Sequence, residues 1–299
     1  MELDREKFKI LVARLESAGI SSPDHDLRAL AEYATTHAQL DSLIEQRCQR
    51  VPLQHLTGLA YFRHLSLEVG SGVFIPRPET ELLAGAGIEY LRNLSSQILE
   101  ASEVKSELRK PLVFDLCAGS GAIAISLATE IPNISVHAVE VSVDAAHWLI
   151  KNVDRYSEQI TRQNSRITIH IIDATATDKF STWFGKADLV LANPPYIPDE
   201  MVPREPEVRD YDPHLALFGG PDGLAVPLAV ARTAAKLLSD GGFFGMEHAD
   251  VQGEGELGLP SSLREIQDSG GAPVWFDVVD HLDYNNLARF TTAIKQPIN

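Results

Sequence analysis

The stretch Asp188-Leu189-Val190-Leu191-Ala192-Asn193-Pro194-Pro195-Tyr196-Ile197 decides how this chain is read. An acid opens it, an apolar run follows, and the run stops at Asn-Pro-Pro-Tyr. Such a run, bounded by breakers, is the pattern of a buried central strand. The two prolines end it, because neither can donate to a ladder and the residue before a proline is driven extended. The Asn193 side chain and the Asn193 and Pro194 carbonyls are thereby expected at the carboxyl end of a sheet, where open α/β sheets bind ligands.

The chemistry suited to this arrangement is narrow. A planar NH2 group offers two N–H donors, and its lone pair is drawn into the neighbouring π system. The Asn193 side-chain oxygen can accept one N–H and the Pro194 carbonyl the other, leaving the third direction of the nitrogen open to an electrophile. Tyr196 can pack on the planar group, with Pro195 stiffening the turn. The bland alternative is a strand ending in a proline turn with Asn193 capping the break. A bare Asn-Pro dipeptide would favour that alternative. The whole tetrapeptide after a buried strand, downstream of a glycine loop, favours a site built on Asn193, Pro194, Pro195 and Tyr196.

The glycine loop is Asp115-Leu116-Cys117-Ala118-Gly119-Ser120-Gly121-Ala122, where a first strand turns into a first helix. Gly119 and Gly121 permit tight turning and close backbone approach to a ligand. Glu140 ends the next strand, placed to grip two ribose hydroxyls. The third glycine of the dinucleotide fingerprint is absent, and no Lys-Ser or Lys-Thr follows as in a phosphate loop. A nucleoside without phosphates fits better, with S-adenosylmethionine the leading candidate. A tight turn with Glu140 capping the following helix is the structural alternative. Asp173-Ala174, after the third strand, falls where an adenine amino group could be held; a solvated loop acid explains it equally well.

Composition narrows the classes. The 299 residues allow one large or two ordinary domains, and 44% hydrophobic content supplies ample core. With 42 acids against 26 bases, a net charge of -16 disfavours broad binding to nucleic acid. Cys48 and Cys117 stand far apart without metal-type spacing, which points to reduced thiols. The amino terminus lacks a signal-peptide pattern and no apolar run nears a membrane span, so a cytoplasmic protein is expected. No Gly-x-Ser-x-Gly elbow or His-x-x-x-His pair is present, and the ten histidines are scattered.

The chain divides into a helical piece over 1–70, a hairpin and linker over 71–85, and an α/β domain over 86–299. In the first, Leu3, Phe8, Leu11, Val12, Leu15 and Ala18 recur at helical spacing up to a stop at Gly19. Ser22-Pro23 then opens a second helix, and a third runs from Asp41 to Arg50. Tyr61-Phe62, Leu65 to Val69 and Val73 to Ile75 read as a hairpin turning at Gly70-Ser71-Gly72. The segment Pro76-Arg77-Pro78-Glu79-Thr80-Glu81 is compatible with a stiff linker and, equally, with an Arg77 pre-aimed at substrate or lid. A helix from Glu79 to Leu99 fades into a polar loop from Glu100 to Lys110. Strand and helix then alternate: strands over 112–115, 135–140, 167–172, 188–192 and 242–246, helices over 121–130, 143–156 and 227–238. A helix over 261–267 and strands over 274–279 and 289–293 close the chain.

In this order the motifs resemble those of a class I S-adenosylmethionine-dependent methyltransferase. Three more stretches narrow the likeness: Pro52-Leu53-Gln54-His55-Leu56-Thr57-Gly58, Phe74 to Glu81, and Asp210-Tyr211-Asp212-Pro213-His214-Leu215-Ala216-Leu217. Together they resemble the PrmC/HemK family, the protein-glutamine methyltransferases of peptide chain release factors. The resemblance covers nearly the whole chain. It implies a Rossmann-like, mostly parallel sheet with helices on both faces and an antiparallel last strand, behind a small helical substrate-recognition domain. It implies methylation of the glutamine amide nitrogen in the Gly-Gly-Gln motif of class 1 release factors. A monomer is the default expectation for a small modifying enzyme that must embrace a large partner, and neither nucleic acid nor membrane is expected as a partner. Cys117, Ala118, Gly119, Ser120 and Gly121 fall on the family's cofactor loop, Glu140 on its ribose acid, and Asp173-Ala174 on its adenine contacts. Asn193 to Tyr196 falls on its glutamine clamp, with Asn193 also beside the cofactor, and Arg77 on its inter-domain segment. Two departures stand out: Cys117-Ala118 replaces the usual Gly-Thr, leaving less room at the loop's first turn, and Asp212 stands where Glu is commoner. A nucleobase amino methyltransferase sharing the same clamp, or a non-catalytic cofactor-binding adaptor, are the competing readings.

Overall fold

The computed structural model describes residues 3–101 and 109–297. Helices α1 (Arg5–Ser17), α2 (Pro23–Tyr33), α3 (His37–Cys48) and α4 (Leu53–Thr57) come first. They close a core of their own around Leu15, Leu27, Leu30, Leu40 and Ile44. Asp4 caps α1 by accepting the Glu6 and Lys7 N–H groups, and Thr36 caps α3. Pro23 occupies the first turn of α2, whereas Ser22 makes no side-chain cap bond.

Strands β1 (Leu59–Phe62) and β2 (Leu65–Glu68) form an antiparallel pair, followed by α5 (Thr80–Ala101). The expected hairpin turn at Gly70-Ser71-Gly72 is therefore misplaced: the chain reverses at Arg63-His64, with Arg63 at φ 53°. Val73 and Ile75 are buried without forming a strand, packed with Val69 and Ala145. Phe62, Leu65 and Leu67 already supply a complete inward face, so no third strand is needed to bury it. Gly72 instead lets the chain pass Asp144, whose Cβ lies 2.8 Å from where a Gly72 Cβ would stand. The expected loop from Glu100 to Lys110 falls largely on residues 102–108, outside those described.

From there β3 (Leu112–Leu116), α6 (Ala122–Glu130), β4 (Ser135–Glu140), α7 (Val143–Arg155), α8 (Ser157–Arg162), β5 (Arg166–Ile171) and β6 (Ala187–Ala192) follow. Then come α9 (Pro206–Tyr211), α10 (His214–Leu217), α11 (Ala225–Leu237), β7 (Leu238–Glu247), α12 (Leu259–Arg264), β8 (Trp275–Leu282) and β9 (Ala288–Lys295). The seven-stranded sheet has the order β5-β4-β3-β6-β7-β9-β8. Only β9, the last strand, runs against its neighbours. Helices cover both faces: α5 and α6 contribute to one buried cluster, α11 and α12 to the other. That double cover is why β4 and β6 are buried at every position. Among the described residues, no helix is long and apolar enough to cross a membrane.

Strand order places the site. The chain moves from β3 outward to β4 and β5, then returns to lay β6 on the opposite side of β3. The gap between the β3 and β6 ends is a topological switch point. Asp188 anchors it from below. Its buried carboxylate accepts two hydrogen bonds from the Arg109 guanidinium, both 2.7 Å, and one from the Leu112 N–H at 2.9 Å. With the strand feet tied, Leu116 pairs with Ala192 and the two loops leave the sheet side by side.

The amino-terminal helices are tied to α9. Glu207 receives hydrogen bonds from Arg47 (2.8 Å) and from Arg50 (2.8 and 2.6 Å), while Tyr211 donates to the Gln49 carbonyl at 3.1 Å. Partial burial works against the charge of Glu207, but the Arg50 and Arg47 hydrogen bonds prevail and hold its carboxyl at about 2.

The close approach at Gly121 is directly testable. Its φ is 89°, and an added Cβ would stand 2.6 Å from Leu149 Cδ1. Gly121→Ala is expected to lower the unfolding free energy by about 2–4 kcal/mol, combining left-handed strain with overpacking. Urea denaturation reads it, and an unchanged midpoint would show that α7 yields freely.

Candidate active site

A cavity of about 490 Å³ opens where β3, β4 and β6 end, a size suited to a small organic ligand. Cys117, Ala118, Gly119, Ser120, Glu140, Asp173, Ala174, Asn193, Pro195, Tyr196 and Arg77 all line it. Two expected residues do not. Gly121 sits behind the loop against Leu149, and Pro194 is buried beneath the wall.

The loop after β3 turns through three left-handed residues, Cys117 (φ 67°), Gly119 (φ 55°) and Gly121 (φ 89°). Glycine accepts this conformation; Cys117 does so at a steric cost of about 1 kcal/mol. An added Cβ at Gly119 would meet nothing within 4 Å, so bare backbone faces the cavity there. Glu140 accepts the Gly119 N–H (2.8 Å) and the Ser142 N–H (2.8 Å), one on each oxygen. It therefore both ties the glycine loop and caps the turn into α7. The remaining lone pair on each oxygen is available to a diol. Asp173 makes a local turn, with Oδ1 accepting the Thr175 N–H and hydroxyl, both at 2.8 Å. Beneath the loop, Asp115 is fully buried; Oδ2 accepts the Ala124 N–H at 2.9 Å, while Oδ1 has no partner. Burial pushes its carboxyl up to about 7. No Lys or Arg lines the cavity between residues 117 and 175. An exposed glycine backbone, a strand-end acid with a lone pair left on each oxygen and acidic surroundings without a phosphate partner fit a cationic nucleoside such as S-adenosylmethionine.

The other half of the cavity is built around Asn193. Its Nδ2 donates to Thr80 Oγ1 at 3.2 Å, and Oδ1 has no partner among the described residues. The Pro194 carbonyl likewise accepts no hydrogen bond among them. Thr80 in turn donates to Glu247 Oε2 at 2.6 Å, and the Tyr196 hydroxyl donates to Oε1 at 3.2 Å. Burial raises Glu247 to about 7, and burial beside it pushes the Tyr196 hydroxyl upward too. The far side of the tetrapeptide is clasped by a glycine turn. A Cβ on Gly219 would stand 2.5 Å from the Pro195 carbonyl oxygen, and one on Gly223 2.2 Å from that of Tyr196. Gln252 adds a hydrogen bond to the Tyr196 carbonyl at 2.9 Å.

Arg77 also lines the cavity. Its guanidinium stacks 4.7 Å above the Phe74 ring and pairs with Asp212 at 2.5 Å. Burial outweighs that pairing and lifts the Asp212 carboxyl to about 6.

The sequence pattern did not single out Thr80, Glu247 or Gln252. Glu247 carried a usable signal, since it ends an apolar strand just as Glu140 does. Thr80 lay inside a quoted motif without a role, because its partner lies far along the chain.

This fold, with a glycine-backbone cradle on β3 and an acid at the end of β4, defines a class I S-adenosylmethionine-dependent methyltransferase. The methyltransferase small domain family matches residues 94–204. The chain is also similar to three bacterial enzymes named release factor glutamine methyltransferase. That of Streptomyces coelicolor is 41% identical over 297 residues, covering 94% of each chain. That of Bifidobacterium longum is 38% identical over 264 residues, covering 81% of this chain and 86% of the other. That of Mycolicibacterium smegmatis is 34% identical over 307 residues, covering 97% of both. The chain belongs to the release factor glutamine methyltransferase family.

Asp115 makes a stability prediction with a defined sign. Its folded value of about 7 lies above the unfolded 3.8, so the folded state holds a proton that the unfolded state has lost. Stability contributed by that proton is complete below the unfolded value and falls as pH rises toward about 7. Asp115→Asn keeps the acceptor for Ala124 and removes the titration. The variant is expected to gain on wild type by about 2–4 kcal/mol between pH 4 and 7. Denaturation curves across that range check it; a pH-independent difference would refute it.

Proposed function

We propose that this chain transfers a methyl group from S-adenosylmethionine to the side-chain amide nitrogen of the glutamine in the Gly-Gly-Gln motif of class 1 peptide chain release factors. The observation that carries the reading is Asn193 Oδ1, an acceptor at the cavity wall without a partner among the described residues, beside a cofactor cradle; the Pro194 carbonyl, which follows it in the chain, is also without a partner among them. An acceptor held at a cavity wall without a protein partner is open to a donor from the ligand, and the neighbouring carbonyl could take a second, so the pair suits a ligand with two donors. A primary amide has them on one nitrogen.

Gly119, Ser120 and the Cys117-Ala118 backbone would hold the cofactor's amino acid end, Glu140 its ribose, and Asp173-Ala174 its adenine. S-adenosylmethionine supplies a sulfonium-borne methyl: the nitrogen forms the new N–C bond, sulfur keeps the S–C pair, and the nitrogen's proton leaves to solvent. The protein's share is positioning and electrostatics. Asn193 and Pro194 fix the direction of the nitrogen and enrich it through two accepted hydrogen bonds. Tyr196, held by Glu247, forms the flat wall against which the amide lies, and Pro195 keeps the wall rigid. Arg77, braced by Phe74 and Asp212, borders the entrance for the substrate loop. A glutamate in place of glutamine would set acceptors against acceptors, a heavy penalty in a desolvated site.

The helices over 1–70 serve as the substrate-recognition domain in this reading, and 86–299 as the catalytic domain. The net charge of -16 favours a protein substrate over a nucleic-acid backbone. A monomer acting in the cytoplasm suits an enzyme that must embrace a large partner.

Labelled S-adenosylmethionine incubated with a class 1 release factor, its Gln→Glu variant at Gly-Gly-Gln, and duplex DNA tests the reading. Label is expected on the wild-type factor alone, and label on DNA would transfer the assignment to nucleobases. Asn193→Ala is expected to reduce transfer roughly a hundredfold or more while cofactor binding persists. A near-normal rate in that variant would dispose of the clamp.

A further inference from the structure

We propose that Thr80 and Glu247 are positioning residues that dictate which end of the Asn193 amide faces the cavity, and so set the preference for an amide over a carboxylate. The inference deepens the methyl-transfer reading and rests on it. A side-chain amide has two ends of almost equal shape and opposite hydrogen-bonding sense. A clamp for an N–H donor works only with the oxygen inward. Turned over, Asn193 would present its own NH2 to the substrate amide and repel it.

Three remote pieces of chain hold it the right way. Asn193 follows β6, Thr80 opens α5, and Glu247 ends β7. Thr80 and Glu247 are 4% and 1% exposed, so water does not substitute for either partner. A threonine hydroxyl owns one proton. Glu247, as a carboxylate, only accepts, and it takes that proton across 2.6 Å. The Thr80 oxygen is then limited to accepting, and only the Nδ2 of Asn193, 3.2 Å away, can donate to it. The reversed amide would put Oδ1 against the Thr80 lone pairs. The proton direction thus passes from Glu247 through Thr80 to Asn193. Tyr196 reinforces it by donating to the other Glu247 oxygen at 3.2 Å.

The device depends on Glu247 being ionised. The charged and titratable groups around it are Tyr196 from the loop after β6, Arg289 on β9, and Glu79 just before α5. Burial outweighs the help of Thr80, Arg289 and Tyr196, and the carboxyl sits at about 7. A protonated Glu247 can donate to Thr80, whose own proton is then free to point at Asn193 Oδ1. The lock is lost, so turnover falls on the acid side.

The test compares wild type, Thr80→Val and Thr80→Ser on a class 1 release factor and on its Gln→Glu variant. Thr80→Val keeps the shape and removes the hydroxyl; it is expected to lower kcat roughly tenfold or more with cofactor affinity unchanged. It is also expected to be inhibited by the Gln→Glu factor more strongly than wild type is, because a freed amide can offer its NH2 to a carboxylate. Thr80→Ser is expected to restore both properties. Unchanged kcat and unchanged discrimination in Thr80→Val would overturn the proposal, as would equal losses in Thr80→Val and Thr80→Ser. Wild-type kcat reads the device without any substitution: it is expected to fall roughly tenfold per pH unit below about 7, and a flat profile from about pH 5.5 to 8 overturns the proposal. If wild type labels no release factor, the methyl-transfer reading fails separately. The lock is then judged from the Asn193 side-chain NH2 protons by NMR: slow exchange with water in wild type and Thr80→Ser but fast in Thr80→Val supports it, and equal exchange overturns it.

Discussion

The rest of the structure depends on the parallel pairing of β3 with β6. Register there sets Leu116 beside Ala192, and so brings the glycine loop and Asn-Pro-Pro-Tyr out of the sheet as neighbours. A slip of one residue would turn every side chain of β6 to the other face. Asp188 guards against that slip from the opposite end, since its carboxylate is committed to Arg109 and to the first N–H of β3. The cost of burying this acid is met by three donors, and the return is a fixed distance between the glycine loop and Asn193.

Around that pairing the two halves of the cavity are held by different means. Backbone makes the cofactor side: left-handed turns, a bare glycine, and an acid that ties the loop while keeping lone pairs free. A polar network makes the acceptor side, running Asn193–Thr80–Glu247–Tyr196 through three elements. Each member leaves few alternatives to the next, because hydroxyl, carboxylate and amide differ in the number of protons they own. The glycine turn at Gly219–Gly223 closes the remaining side at van der Waals contact, which only a residue without a Cβ permits. Glu207, in the first turn of α9, is bound to the helical region through Arg47 and Arg50, and Asp212, just after the helix, is bound to Arg77 at the cavity. One short helix thus joins the amino-terminal helices to the cavity.

Legibility from sequence followed the range of the interaction. Apolar runs bounded by Gly and Pro report strand and helix directly, and the alternating order of the α/β part was readable for that reason. The hairpin was not: three apolar stretches competed for two strands, and the sequence pointed to the glycines at Gly70-Ser71-Gly72, whereas the actual reversal at Arg63-His64 contains neither Gly nor Pro. Only the packing of Phe62, Leu65 and Leu67 onto the sheet's helices resolved the competition. Cys117 shows a different limit, for its left-handed backbone is a property of the loop and not of cysteine.

By itself the sequence determined the class of fold, the order of the motifs, and the placing of Asn193, Tyr196 and Glu140 at the carboxyl ends of strands. Each of these is local, written in patterns a few residues long. Tertiary structure alone decided that Thr80 meets both Asn193 and Glu247, that Gly219 and Gly223 press on Pro195 and Tyr196, and that Pro194 lies beneath the wall instead of on it. Those contacts join residues tens to more than a hundred positions apart, and no local propensity encodes them. Strand order and register bring them together, and only then does the single proton of a threonine hydroxyl acquire a direction.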